Sequence, residues 1–166
     1  MLKTNPCDKI HQHGTSNISK EVYHYISQEL FSSVVFPGDP APERQKIYSF
    51  ENGDICSLTA LSMCAHNGTH IDAPYHFFPD GKTVEQIPLE VFVGPAYVAM
   101  HNGNVTAADA EKILASARAC GASERILIRG DAIVTAESAK VFASARVRIL
   151  GNESQTFGPP RTEMIS

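Results

Sequence analysis

The second half of the sequence alternates between short apolar segments and helical segments, and this alternation restricts the fold more than any other feature. Residues 96–101, 125–129 and 146–150 are rich in aliphatic side chains and predict strands. Residues 106–120 and 135–144 predict helices. Strands separated by helices pair in parallel through right-handed crossovers. We therefore expect a β-α-β-α-β arrangement in this half.

Both predicted helices begin at a threonine. Thr106 and Thr135 suit the N-cap position, where a side-chain oxygen accepts a hydrogen bond from a backbone N–H of the first turn. Asp109 stands at the third helical position, as in a capping box. Gly121 suits the position beyond the first helix, where left-handed backbone is common.

The first half of the sequence predicts β-hairpins. Residues 22–27, 44–50 and 54–64 read as strands, and the Asn52-Gly53 pair between the last two is a strong hairpin signal. The predicted fold class is therefore α/β with a mixed sheet, hairpins in the first half and β-α-β-α-β in the second.

A chain of 166 residues fits one globular domain. We assign residues 21–160 to it, residues 1–20 to a flexible N-terminal arm and residues 161–166 to a tail. The first twelve residues lack the apolar core of a signal peptide, and no apolar run approaches the roughly 20 residues that span a bilayer. We expect a cytoplasmic protein without a membrane partner.

Charge and cysteine content exclude further classes. Fourteen Lys and Arg against eighteen Asp and Glu give a net charge of −4 without a basic block, which argues against nucleic-acid binding. Cys7, Cys56, Cys64 and Cys120 show no Cys-x-x-Cys spacing. We expect them to be reduced and to form neither a zinc ribbon nor a disulfide framework.

Three of the seven histidines, His66, His70 and His76, fall within eleven residues. Glycine and proline inside this segment disfavour a helix, so we expect an extended backbone. With the two-residue period of a strand, His66, Gly68, His70 and Asp72 would face one side. Gly68 would then leave room for an ion or substrate.

Two imidazoles and a carboxylate can supply the three protein ligands of a catalytic divalent metal. Such an ion can generate hydroxide at neutral pH and polarise a carbonyl oxygen, which suits hydrolysis. His76 lies beyond a proline and is better placed for proton transfer, as general acid/base, than for ligation.

Other interpretations of these residues stay open. His70 and Asp72 with the distant His101 resemble the two-histidine, one-carboxylate set of Fe(II) oxygenases. Cys64 and His66 together suggest a nucleophile and its base, although no orienting motif follows. The histidines could also be ordinary hydrogen-bonded loop residues.

The pattern His-x-Gly-Thr-His-x-Asp-x-Pro-x-His-Phe, present without a gap from His66 to Phe77, resembles the hallmark of the metal-dependent cyclase family, which includes bacterial kynurenine formamidase and isatin hydrolase. Residues 36–40, with Pro-Gly-Asp at their centre, are similar to an upstream loop of that family. Residues 125–154 resemble its later strand-helix-strand segment. The resemblance covers about residues 22–160.

The resemblance implies a site and a fold. His66, His70 and Asp72 would bind zinc or manganese, with Asp72 able to bridge two ions, and His76 would be the catalytic acid/base. The implied fold is the swivelling β/β/α of cyclases. The implied reaction is hydrolysis of an amide, formamide or cyclic amide through metal-bound hydroxide.

The resemblance also implies a substrate side and an assembly. Phe36 and Asp39 would contact a small-molecule substrate, although the family usually has Trp where Phe36 stands. Members form dimers or higher homo-oligomers. The family takes a further His and Glu ligand from a C-terminal segment, and no matching motif precedes Ser166. The alternative is therefore a shortened relative that binds metal or a small ligand with weak or no turnover.

Overall fold

The computed structural model describes residues 27–158. The predicted arm 1–20, the tail 161–166 and all but the last residue of the predicted strand 22–27 lie outside this range. The strands and α-helices of the described chain are β1 (Glu43–Tyr48), β2 (Leu58–Ser62), β3 (Tyr97–Met100), β4 (Gly103–Val105), α1 (Ala107–Ala119), β5 (Arg125–Arg129), β6 (Ala132–Val134), α2 (Ala136–Ser144) and β7 (Ile149–Asn152).

The described chain divides into two compact units, residues 27–86 and residues 87–158. The first contains the antiparallel pair β1–β2, and the second contains the parallel sheets β3–β5–β7 and β4–β6 with both helices. The mixed α/β class and the parallel β-α-β-α-β arrangement are thereby confirmed. The predicted domain bounds, 21–160, stay a prediction.

The β1–β2 hairpin has the predicted turn but shorter strands. Gly53 takes the left-handed conformation, with φ of 84°, and its N–H donates to the Phe50 carbonyl. The Asp54 carboxylate accepts from the Ser49 N–H at 2.7 Å. These bonds curl residues 49–54 into a turn with the 3-10 helix Phe50–Asn52, so the ladder stops at Tyr48 and Leu58.

Two strands of the second unit, β4 and β6, are absent from the sequence prediction. Each has three residues, which is too short for a period of two to be visible. The third predicted strand, 146–150, is displaced to β7. Arg146 has φ of 59° and its N–H donates to the Ala143 carbonyl at 3.0 Å, so the chain is still turning out of α2 where the alternation begins.

Both helix starts are confirmed. The Thr106 hydroxyl accepts from the Asp109 N–H and the Asp109 carboxylate accepts from the Thr106 N–H, each at 3.2 Å, which completes the capping box. The Thr135 hydroxyl accepts from the Ser138 N–H at 3.2 Å. Gly121 follows the end of α1 with φ of 66°, as predicted.

The hydrophobic core of residues 87–158 lies where the two helices pack on the parallel strands. Leu114 of α1, Phe142 of α2 and Ile126 and Ile128 of β5 are nearly inaccessible to solvent. Residues 27–86 differ, because their only buried side chains are polar, those of Ser49 and Asn67. Within residues 27–158, no helix combines the length and apolar character needed to cross a lipid bilayer.

The cysteines depart from the expectation that all are reduced. Cys56 and Cys64 are free thiols, whereas Cys120, at the end of α1, is disulfide-bonded.

Removing the Thr106 hydroxyl tests the capping box. We expect Thr106→Ala to lower the free energy of unfolding by about 1 kcal/mol. Thr106→Ser should keep most of the original stability, because Ser retains the side-chain oxygen that accepts the capping bond. Urea unfolding at pH 7 measures both variants. Equal stability of the two would contradict the capping role.

The same box has a pH signature. Hydrogen bonds from the Thr106 hydroxyl and then from its backbone N–H lower the pKa of Asp109 below its ordinary value. A lowered folded-state pKa contributes stability above the unfolded pKa, and this stability is lost as the pH falls through the folded pKa. The difference in free energy of unfolding between Thr106→Ala and Thr106→Ser should therefore become smaller as the pH falls into the acid range.

Candidate metal centre

The histidine-rich segment is a sequence of turns between β2 and the 3-10 helix Pro74–His76. The Asn67 N–H donates to the Cys64 carbonyl at 3.1 Å, and Gly68 has φ of 66°. The predicted extended backbone is therefore wrong. A Cβ on Gly68 would make only ordinary van der Waals contacts with Leu30 and Ser33, so the left-handed backbone, and not lack of space, favours glycine here.

The three predicted ligands nevertheless converge. His66 Nδ1 lies 3.2 Å from His70 Nε2 and 3.1 Å from Asp72 Oδ1, and His70 Nε2 lies 3.4 Å from Asp72 Oδ1. In a tetrahedral zinc site with bonds of roughly 2.0–2.1 Å, neighbouring ligand atoms are about 3.3–3.4 Å apart. The spacing of these three atoms fits a divalent cation.

The backbone sets the orientation of one ligand. The Gly68 carbonyl lies 2.9 Å from His70 Nδ1, and a carbonyl can only accept, so Nδ1 carries the proton. The lone pair of Nε2 then points at His66 and Asp72. Histidines that bind metals usually donate their other ring N–H to an oxygen in this way.

His76 lies beside the three ligands. Its ring centroid is 4.3 Å from that of His66, and donor atoms of His66, Asp72 and His76 all lie within 4.8 Å of one another. The ring is therefore within reach both of a cation at this centre and of a molecule bound next to it. The 3-10 helix orients it, with the His76 N–H donating to the Ala73 carbonyl at 2.8 Å.

The centre is accessible from solvent. The side chains of His66, His70 and Asp72 are 30%, 26% and 35% exposed. Phe77 packs edge-on against His76 with 4.3 Å between ring centroids, and most of its surface is open. A ligand reaching the histidines would thus meet an aromatic side chain.

The predicted substrate loop, residues 36–40, is hydrogen-bonded to the histidine-rich segment. The Asp39 N–H donates to the Phe36 carbonyl at 3.0 Å and closes the turn, and Phe36 is 40% exposed. The Cys64 thiol lies 3.8 Å from Asp39 Oδ2 and donates to it. The Asn67 side chain bonds to the Pro40 carbonyl.

Neither the Fe(II)-oxygenase set nor the Cys64 nucleophile gains support from these contacts. His101 belongs to residues 87–158, where its Nε2 lies 3.1 Å from the Asn104 carbonyl oxygen. The thiol of Cys64 has Asp39 as its hydrogen-bond partner. His66 is the imidazole that the structure places beside His70 and Asp72.

Sequence analysis missed two residues that shape the centre, Asn67 and Gly81. A Cβ on Gly81 would lie 2.5 Å from the Pro74 carbonyl carbon and 2.7 Å from the Tyr75 nitrogen, both backbone atoms. The Asp80-Gly81 pair is a turn signal that could have been read. Nothing in the sequence separates Asn67 from the other polar residues of this segment.

The fold and this centre together define an α/β protein in which two imidazoles and one carboxylate converge on a turn-rich segment. The chain belongs to the cyclase family, because the family model described as putative cyclase matches residues 17–158. This confirms the resemblance carried by the motif from His66 to Phe77.

Similar proteins agree with this membership. The chain is 42% identical over 74 residues to kynurenine formamidase of Bacillus mycoides (strain KBAB4), which covers 44% of this chain and 35% of the relative. It is 41% identical over 75 residues to kynurenine formamidase of Geobacillus thermodenitrificans (strain NG80-2), with the same coverage. The matched segment thus spans about a third of the length of these relatives.

One solved structure, described as a potential metal-dependent hydrolase with cyclase activity, shares the fold. It matches with a TM-score of 0.58 and 22% identity, covering 82% of this chain and 69% of the other.

Adding a methyl group at Gly81 tests whether its close approach to the Pro74–Tyr75 backbone is needed for the turn that holds His76. We expect Gly81→Ala to lower the free energy of unfolding by about 1–3 kcal/mol, because backbone must move to admit it. Asp80→Ala, at the exposed neighbour, is the control and should change little. Urea unfolding compares them, and equal stabilities would refute the steric argument.

Proposed function

We propose that this chain is a metal-dependent hydrolase that cleaves an amide, formamide or cyclic amide bond. The observation that carries the proposal is the convergence of His66 Nδ1, His70 Nε2 and Asp72 Oδ1 to within 3.4 Å of one another. The relatives named kynurenine formamidase and the solved neighbour named as a potential metal-dependent hydrolase support the reaction class.

His66, His70 and Asp72 would hold zinc or manganese, one or two ions, since two nitrogens and a carboxylate suit either metal. When bound, the ion supplies a Lewis acid for the substrate carbonyl and lowers the pKa of water. The Gly68 carbonyl keeps His70 in the tautomer that this requires.

His76 is the proposed general acid/base. In hydrolysis, a water oxygen bonds to the carbonyl carbon, the C–N bond breaks, and one water proton passes to the leaving nitrogen. The His76 imidazole takes this proton from the water as a base and delivers it to the leaving nitrogen as an acid. Its position beside His66 supports this role.

Phe36 and Asp39 are the proposed substrate contacts. Phe36 is accessible enough to stack on a planar group, and the Asp39 carboxylate accepts from Cys64, two residues before the first ligand. These links support a small-molecule substrate between the 36–40 loop and the histidines.

Assembly as a homodimer or higher homo-oligomer and a cytoplasmic location complete the proposal. Exposed apolar side chains in residues 27–86, among them Val34, Phe50, Ile55 and Leu61, support an assembly that covers part of this surface.

A second candidate function is binding of metal or a small ligand with weak or no turnover. The observation that favours it is that about a quarter to a third of each of the three ligand side chains is exposed to solvent. An open site stabilises the charge that develops in a transition state less well than a closed one. Binding of metal without cleavage of an aryl formamide, an anilide or a lactam would favour this candidate.

Removing one ligand tests the centre directly. We expect the protein, purified without chelator or affinity metal, to contain one or two equivalents of zinc or manganese and His70→Ala to contain almost none. His101→Ala is the matched control and should keep its metal. Elemental analysis gives the stoichiometry, and full metal content in His70→Ala would contradict the assignment.

Removing His76 tests the proton-transfer role. We expect His76→Ala to lower kcat/KM for an aryl formamide about 10²–10⁴-fold while metal content is unchanged. Full turnover would exclude the role. Loss of metal would instead make His76 a ligand, which its distance from His66 and Asp72 also permits.

A further inference from the structure

Asn67 is buried to 3% exposure inside a site whose ligands are open to solvent. It stands directly after His66 in the chain. A buried amide side chain is costly unless both of its ends are hydrogen-bonded. Both ends of Asn67 are bonded, each to a different segment.

The carbonyl end of the side chain closes the turn that precedes the first ligand. Asn67 Oδ1 accepts from the Cys64 N–H at 2.8 Å, and the Asn67 N–H donates to the Cys64 carbonyl at 3.1 Å. These two hydrogen bonds join Cys64 to Asn67, and His66 lies in the turn between them. The Oδ1 bond therefore braces the turn from which the His66 side chain projects.

The amide end reaches the 36–40 loop. Asn67 Nδ2 donates to the Pro40 carbonyl at 3.3 Å. A second contact joins the same two segments, because the Cys64 thiol donates to the Asp39 carboxylate at 3.8 Å. Two residues that flank His66 thus hold the 36–40 loop against the metal-binding turn.

We propose that Asn67 is a positioning residue with two separable functions. Its carbonyl group sets the geometry of the metal ligands, and its amide group holds the 36–40 loop at the substrate side. The second function rests on the proposed hydrolase activity, whereas the first concerns cation binding alone.

The substitution Asn67→Asp separates the two functions. It keeps an oxygen for the Cys64 N–H and replaces the Nδ2 donor with an acceptor that the Pro40 carbonyl repels. Co²⁺ affinity, measured from the visible absorption of Co²⁺ added to metal-free protein, should be no weaker than in the original chain. The Asp39 amide should exchange its hydrogen about 3–10-fold faster by NMR, as expected for one lost hydrogen bond.

The substitution Asn67→Ala removes both bonds. It should show the same faster exchange at Asp39 and, in addition, a loss of Co²⁺ affinity of about 10–100-fold, the usual effect of losing a group that orients a ligand. With an aryl formamide as substrate, Asn67→Asp should raise KM and leave kcat nearly unchanged, whereas Asn67→Ala should lower kcat as well.

Two controls complete the test. Asn52→Asp makes the same chemical change at an exposed position of the hairpin and should leave every readout unchanged. Cys64→Ala removes the thiol that binds Asp39 but keeps the backbone N–H, so it should speed Asp39 exchange without weakening Co²⁺ binding. If Asn67→Ala does not fold, Cys64→Ala still shows whether the 36–40 loop can be loosened without a change in Co²⁺ binding.

The proposal is overturned if Asn67→Asp weakens Co²⁺ binding as much as Asn67→Ala, or if neither variant changes Co²⁺ affinity or Asp39 exchange. Neither readout needs turnover. If no amide is hydrolysed by the unmodified chain, the hydrolase assignment fails while the Co²⁺ and exchange results still decide the role of Asn67.

Discussion

Electrostatic repulsion among three electron-rich atoms is the constraint on which the organisation of the candidate site depends. His66 Nδ1, His70 Nε2 and Asp72 Oδ1 lie 3.1–3.4 Å apart, and such atoms stay together only with a proton or a cation among them. The backbone holds them from outside, since the Gly68 carbonyl orients His70. The side chain of Asn67 closes the turn at His66.

The sequence was enough to single out His66, His70 and Asp72 as candidate ligands, but it could not predict how the chain brings them together. The period of two placed His66, His70 and Asp72 on one side of an extended chain. The actual turn brings the same side chains together through the left-handed Gly68. Their convergence follows from residues 64–68 folding back on themselves, and a periodic pattern does not encode such a turn. Asn67 escaped prediction because burial of a polar side chain is a tertiary property.

In the rest of the fold, local signals succeeded where they were strong. Thr106 and Thr135 begin helices as predicted because a capping bond spans only a few residues. The start of β7 was misplaced because the Arg148 and Ile149 N–H groups both donate to the Glu124 carbonyl, a contact distant in sequence. The pairing of β4 with β6 is likewise a long-range contact between two segments of three residues.

The absence of a buried apolar side chain among the described residues 27–86 has a thermodynamic consequence. An ion bound by His66, His70 and Asp72 would take the place that an apolar core has elsewhere, because its binding energy adds to the folding energy of the segment that holds it. The affinity for the ion and the folding stability of the surrounding turns would then be thermodynamically linked. The concentration of free metal would contribute to how much of this segment is folded.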